Sequence, residues 1–518
     1  MADTSTLTPF VPQLGSIRAR VETEKLCGHD NVDTRRWLAL AVGSLVIAGL
    51  LSLAVVLGRL PVLSRIIDDP LFFKRCLVVH VDLALIVWFY AFLAGLMALR
   101  SPARPNRITT AAHGLAVTGV VAMLAGGLVR GAQPVLANYV PVIDHPLFAA
   151  GLAAFFVGAL LYFVHALAAP STAAPRTLPS DVSIGLSAAA VIIVIAAATW
   201  ISARAGLPAG LDVYTRAEFL AWGPGHVLQA ANACAMLAVW LWLIERATGS
   251  AVLSRRTAQA VFGALVLPQA VMPLLTARGT LDALYHTGAT QLMRWTIFPT
   301  LLVVLGFSVR HLWLHRRKGV AAAGRNPGMP FLTPAAGERV GDPRYSVASF
   351  AARRTALTGF AASTGLALFG LVLGACIRSS TTLVPAHYHA SLGAVTVAFM
   401  TAAYFICDRL RSDDRKTALA DRIWHRAKWQ LTVFGAGQTV FVLGFAIGGA
   451  YGLGRKAYAA EQHVRTSGEV TGLIVMGIGG LVAVAGGLWF LFLILREIRA
   501  WRRPPSMQPA DFSFPTAP

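Results

Sequence analysis

The chain has 518 residues, of which 56% are hydrophobic and only 13% charged, and its formal net charge is +21. That composition excludes a soluble globular domain and a disordered chain, and it is the composition of a polytopic membrane protein. In a soluble protein the basic excess would suggest nucleic acid. Here it gathers in tails and loops, so membrane lipid is the expected partner and nucleic acid is not.

Residues 1–36 form a polar N-terminal tail with no apolar core before a cleavage site, so no cleavable signal peptide is read. Twelve apolar spans of helical length follow: 37–60, 75–99, 108–130, 143–168, 181–203, 217–245, 257–276, 289–314, 355–377, 383–407, 429–452 and 468–495. Pro268 and Pro273 make span seven the weakest. A Gly/Pro/Arg-rich loop, about 315–354, joins spans eight and nine, and a Pro-rich tail, 501–518, reads as disordered. Residues 37–500 are taken as one membrane domain, since no short-period repeat is evident.

An even number of spans puts both ends on one side. That side carries most of the 45 Lys and Arg, including Arg316-Arg317-Lys318 and the run from Arg409 to Lys428. The positive-inside rule then makes both termini cytoplasmic, as in a bacterial-type inner membrane. The five cysteines form neither CxxC nor CxxCH, so no zinc site, disulfide framework or covalent heme is inferred.

The informative residues are histidines. On this topology the even-numbered spans run inward. They place His80 in span two, His226 in span six, and His387 and His389 in span ten within the outer third of the bilayer. Ionisable groups at that depth are costly and suggest function, and imidazole is a common ligand for heme iron and copper. In His387-Tyr388-His389 the two rings point about 200° apart on a helix, so each can hold a different group. His311 and His315 end span eight beside the basic run, and His113 and His165 lie toward the inner side, where a neighbouring helix can satisfy them.

These residues resemble subunit I of the heme–copper oxidase superfamily, which includes terminal oxygen reductases and nitric oxide reductases. Val384-Pro385-Ala386-His387-Tyr388-His389 is similar to the family's span-ten A-H-x-H stretch. Gly452-Leu453-Gly454-Arg455-Lys456-Ala457-Tyr458 is similar to the run whose basic pair faces heme propionates, and Arg75 with His80 is a weaker match in span two. The resemblance implies an all-α bundle of twelve transmembrane helices carrying two hemes of unspecified type. It makes His80 and His389 the axial ligands of a low-spin heme and His387 the proximal ligand of a second, gas-binding heme. Arg455 and Lys456 become propionate partners, and His226, in Trp222-Gly223-Pro224-Gly225-His226, becomes a ligand of a non-heme metal. Glycine and proline before His226 are expected to open the helix there.

The resemblance breaks at the second metal. The family adds an adjacent His-His pair, which this chain lacks; position 276 is Thr276, and the nearby His286 is expected in an outer loop. Position 230 is Ala230, so the tyrosine of many oxygen reductases is missing. Tyr285, Gln229 and Glu218 are the candidate substitutes, and Gln229 and Asn232 are poor copper ligands. Non-heme copper or iron is therefore in question. Asp82, Glu218 and Asp282 are the candidate proton carriers, and span eight has no central lysine.

Three functions follow. The first is an oxidoreductase subunit reducing O2 or NO, fed at the outer face by another subunit or by a cytochrome or cupredoxin-like donor. The second is a catalytically degenerate diheme protein acting in electron transfer, gas sensing or assembly. The third is a secondary transporter, whose architecture twelve spans also fit.

Overall fold

A computed structural model describes residues 31–57, 69, 71–100, 104–169, 177–325, 350–411, 420–455 and 464–501. Twelve helices among them are long and apolar enough to cross a membrane: Val32–Val55, Phe72–Arg100, Arg107–Leu128, Pro146–Ala168, Ser180–Ala205, Val213–Thr248, Arg255–Ala277, Ala283–Arg317, Phe350–Cys376, Leu383–Arg409, Arg422–Ala450 and Ser467–Arg499. They match the twelve expected spans one for one. Most of the N-terminal and C-terminal tails, and most of the loop between spans eight and nine, lie outside the described residues.

Helix ends follow local chemistry. Asn106 opens span three with a reciprocal capping box to Thr109, and Asp212 and Asp282 cap spans six and eight. Gly249 closes span six with φ +82°, a conformation glycine adopts freely. The prolines of span seven act as expected. The helix runs Arg255–Gln269, tightens where the Ala270 and Val271 amides bond the Leu267 and Pro268 carbonyls, and resumes over Met272–Ala277 with Pro273 in its first turn.

Span six is the axis of the bundle and span ten is nearly as enclosed. Spans two and ten meet through aromatic side chains: Phe399 of span ten stacks on Phe92 at 4.6 Å and meets Phe89 and Trp88 edge-on. Spans eleven and twelve touch backbone to backbone: a Cβ added at Gly479 would lie 2.1 Å from the Phe441 nitrogen, and one at Gly444 would lie 2.2 Å from that of Met476.

Two features were not legible beforehand. Span two turns π-helical over Asp82–Val87, two residues past His80, and span eight does so over Met293–Ile297. A small antiparallel hairpin, β1 Gln133–Val135 with β2 Val142–Asp144, lies in the connection between spans three and four. Its base is held by Arg75. This guanidinium is 1% exposed, donates from Nε to the Gly127 carbonyl at 3.0 Å, and pairs with Asp69.

Candidate functional site

Span ten delivers its two histidines to different neighbours. His387 turns toward span nine, and its Nδ1 lies 2.7 Å from the Gly370 carbonyl oxygen. A carbonyl only accepts, so Nδ1 carries the proton and the Nε2 lone pair is left for a ligand bond. Gly374 makes the space: a Cβ there would lie 2.7 Å from the ring. His389 turns the other way, toward span eleven, with Phe445 stacked on it at 5.3 Å and Phe441 edge-on at 5.1 Å. Its backbone carbonyl accepts from Gln438, while the ring makes no hydrogen bond among the described residues.

His80 faces the same region from span two. Its Nδ1 lies 2.7 Å from the Ala48 carbonyl of span one, which again leaves Nε2 open. The rings of His80 and His389 are within electrostatic range of one another. The aromatic contacts set their depth. Phe92 lies twelve residues past His80, and Phe399 lies ten past His389, so both histidines sit about 15–18 Å above the same stack. All three rings are half-buried, while Ala386 and Ala390 beside them are fully buried. An axial imidazole needs a free Nε2, a fixed tautomer and an accessible face, and His80 and His387 have all three. The donor set and its aromatic walls fit heme.

Arg455 is tied to the N-terminal end of span ten. Its Nε donates to Ser380 Oγ at 2.8 Å, Gly454 pairs with Thr381, and the Thr382 amide donates to the Leu453 carbonyl. Lys456 and Tyr458 lie outside the described residues.

The surroundings of His226 differ from expectation in three ways. Span six is not opened at Trp222–His226; it is one continuous helix with Pro224 inside it. The glycines instead admit two tyrosines. A Cβ at Gly223 would lie 2.7 Å from the Tyr285 hydroxyl, which accepts from the Gly223 amide, and one at Gly225 would lie 2.3 Å from the ring of Tyr139. Next, His286 is in the first turn of span eight rather than in a loop, because the Asp282 cap starts that helix at Ala283, six residues earlier than expected; its Nε2 donates to the Thr280 carbonyl at 3.0 Å. Third, His226 has both ring nitrogens engaged. Nδ1 donates to the Trp222 carbonyl at 2.8 Å, so Nε2 is the acceptor, and it receives the Tyr139 hydroxyl at 3.0 Å.

Tyr139 comes from the turn of the β1–β2 hairpin with φ +67°, the one positive φ among the described non-glycine residues. Such a residue costs on the order of 1–3 kcal/mol and persists where its surroundings impose it. Glu218 helps to impose it by accepting from the Asn138 backbone amide at 2.8 Å and from the Asn138 side chain.

Other candidates have structural duties. Asp282 pairs with Arg278 and caps span eight. His113 reaches the Arg36 carbonyl, His165 reaches Asn106, and His311 contacts Thr248 and Ser250. Asp82, by contrast, is fully buried, and neither carboxyl oxygen has a hydrogen-bond partner among the described residues. Among the described residues no group of three or more His, Cys, Asp or Glu could hold a metal. The Tyr139 contact was missed because Tyr139 lies 87 residues before His226 and in no recognisable motif.

The chain is a multi-pass helical membrane protein with a heme–copper oxidase-like fold. A solved cryo-EM structure of a heme–copper terminal oxidase dimer aligns over 92% of this chain and 85% of its own, with a TM-score of 0.61 and 14% identity. Two curated relatives are uncharacterized. One, from Rickettsia prowazekii (strain Madrid E), is 23% identical over 90% of this chain and 96% of its own length. The other, from Aquifex aeolicus (strain VF5), is 33% identical over 40% of this chain and 53% of its own length. No family model matches the chain.

Proposed function

We propose that the protein is the heme-binding redox subunit of a terminal oxidase-like complex in a bacterial-type inner membrane, with both termini cytoplasmic. In this reading His80 and His389 ligate a low-spin heme and His387 ligates a second heme open to O2 or NO. The observation that carries it is span ten: one ring faces span nine with Nε2 free, and the other turns away to lie against Phe441 and Phe445 of span eleven.

When bound, the hemes would supply one-electron transfer and a gas-binding iron. The protein's own contribution is positional. The carbonyls of Gly370 and Ala48 orient the imidazoles of His387 and His80. Phe441 and Phe445 pack against the His389 ring and fix its orientation. Arg455, and Lys456 after it, would offset propionate charge near the outer surface, where a cytochrome, a cupredoxin or another subunit would deliver electrons.

The occupied ring of His226 favours a second reading, a diheme protein that transfers electrons or senses gas without rapid turnover. Optical spectra of the purified protein, reduced and reduced with carbon monoxide, test the proposal with a heme count on the same sample. Two hemes per chain, one of them binding carbon monoxide, are expected. A preparation without heme would overturn it, and turnover of O2 or NO separates the two readings.

A further inference from the structure

His80 and His387 each spend one ring nitrogen on a backbone carbonyl and keep the other; His226 spends both. A metal at His226 would have to displace Tyr139 and would then lack a full ligand set. Of the candidate substitutes, Glu218 is engaged with Asn138 and the Tyr285 hydroxyl with the Gly223 amide, Gln229 offers only an amide, a poor copper ligand, and His286 donates from Nε2 to the Thr280 carbonyl and keeps only Nδ1; among the described residues no third His, Cys, Asp or Glu completes a metal-holding group. Copper, zinc and iron sites are built from several N, O or S donors, and one imidazole does not hold such an ion.

We propose that Tyr139 stands in place of a second metal as the partner of His226, and that the chain carries no stoichiometric copper, zinc or non-heme iron. The arrangement is built from several elements at once. The hairpin turn supplies Tyr139, whose left-handed backbone aims the ring at span six. Gly225 lets the ring settle where any Cβ would collide with it, and Glu218 clamps the adjacent Asn138. Its neighbour is the Trp222 indole nitrogen, buried beside the His226 ring without a hydrogen-bond partner among the described residues. The indole N–H is thus a donor left beside the His226 ring, while the phenol has spent its O–H on His226 and presents only its oxygen lone pairs. That this pair faces a heme-bound gas rests on the function proposed above; the absence of the metal does not.

The test is elemental analysis of the full-length protein, purified from membranes of cells grown with added copper, zinc and iron. Copper and zinc should fall far below one per chain, and heme should account for all the iron. One equivalent of non-heme metal per chain, lost in His226→Ala, overturns the proposal. The counts are per chain, so a heme-free preparation would sink the heme reading while leaving this result decisive. Tyr139→Phe keeps the ring and loses the hydroxyl. The C–O stretch of its reduced carbon monoxide complex should shift from wild type, and an unmoved stretch overturns the placement of the pair beside the gas ligand.

Discussion

His387 and His389 are two residues apart and make no common contact. One is anchored to the Gly370 carbonyl, and the other lies between phenylalanines of span eleven. Their loss should therefore separate cleanly. His389→Ala should abolish the low-spin heme bands, and His387→Ala should abolish carbon monoxide binding while leaving them; optical spectra read both. Gly225→Ala puts a methyl into the Tyr139 ring and should destabilise the fold by roughly 1–3 kcal/mol. Faster proteolysis of the β1–β2 hairpin would report it. Asp69, outside span two, has its carboxyl held below the usual carboxylate range, chiefly by the Arg75 side chain. A group depressed by folding stabilises above its unfolded pKa and loses that contribution as pH falls through its folded one. Thermal melting in detergent between pH about 6 and about 3 should show wild type losing more stability than Asp69→Asn.

At the level of elements, the pairing of spans eleven and twelve determines where Phe441 and Phe445 stand. Gly479→Leu would push Phe441 away from span twelve, since even a Cβ there lies 2.1 Å from the Phe441 backbone. Overpacking of this kind costs about 1–3 kcal/mol or more. The melting temperature should fall and the low-spin heme bands should change together; a fall in stability with unchanged bands would detach the phenylalanines from the heme site. The π-helical segment after His80 belongs to the same scale. It shifts the register of everything past Asp82 relative to His80, bringing Trp88, Phe89 and Phe92 onto Phe399.

For the whole molecule, orientation is the property that every depth assignment depends on. Span nine runs outward if both termini are cytoplasmic, which places exposed Cys376 at the outer surface, while Cys407 is buried at the opposite end of span ten. A membrane-impermeant thiol reagent added to intact spheroplasts should label Cys376 and leave Cys27 of the N-terminal tail untouched. The reverse pattern would invert the topology, and with it the outer-face site for the electron donor.

Much of this was readable in advance, for a definable reason. Hydropathy accumulates along the chain and the bilayer acts on it locally, so twelve spans, their order and the opposed rings of His387 and His389 follow from residue spacing. Helix starts were less legible. Polar residues such as His286 and Thr287 hid the first turn of span eight, which the Asp282 cap creates. What only the tertiary structure decided is which free valence each histidine keeps. The Ala48, Gly370 and Trp222 carbonyls choose the tautomers, and a hairpin 87 residues away supplies the Tyr139 hydroxyl that closes His226. Those contacts depend on close backbone approach, a left-handed φ and a carboxylate clamp between distant segments, none of which leaves a periodic mark in sequence.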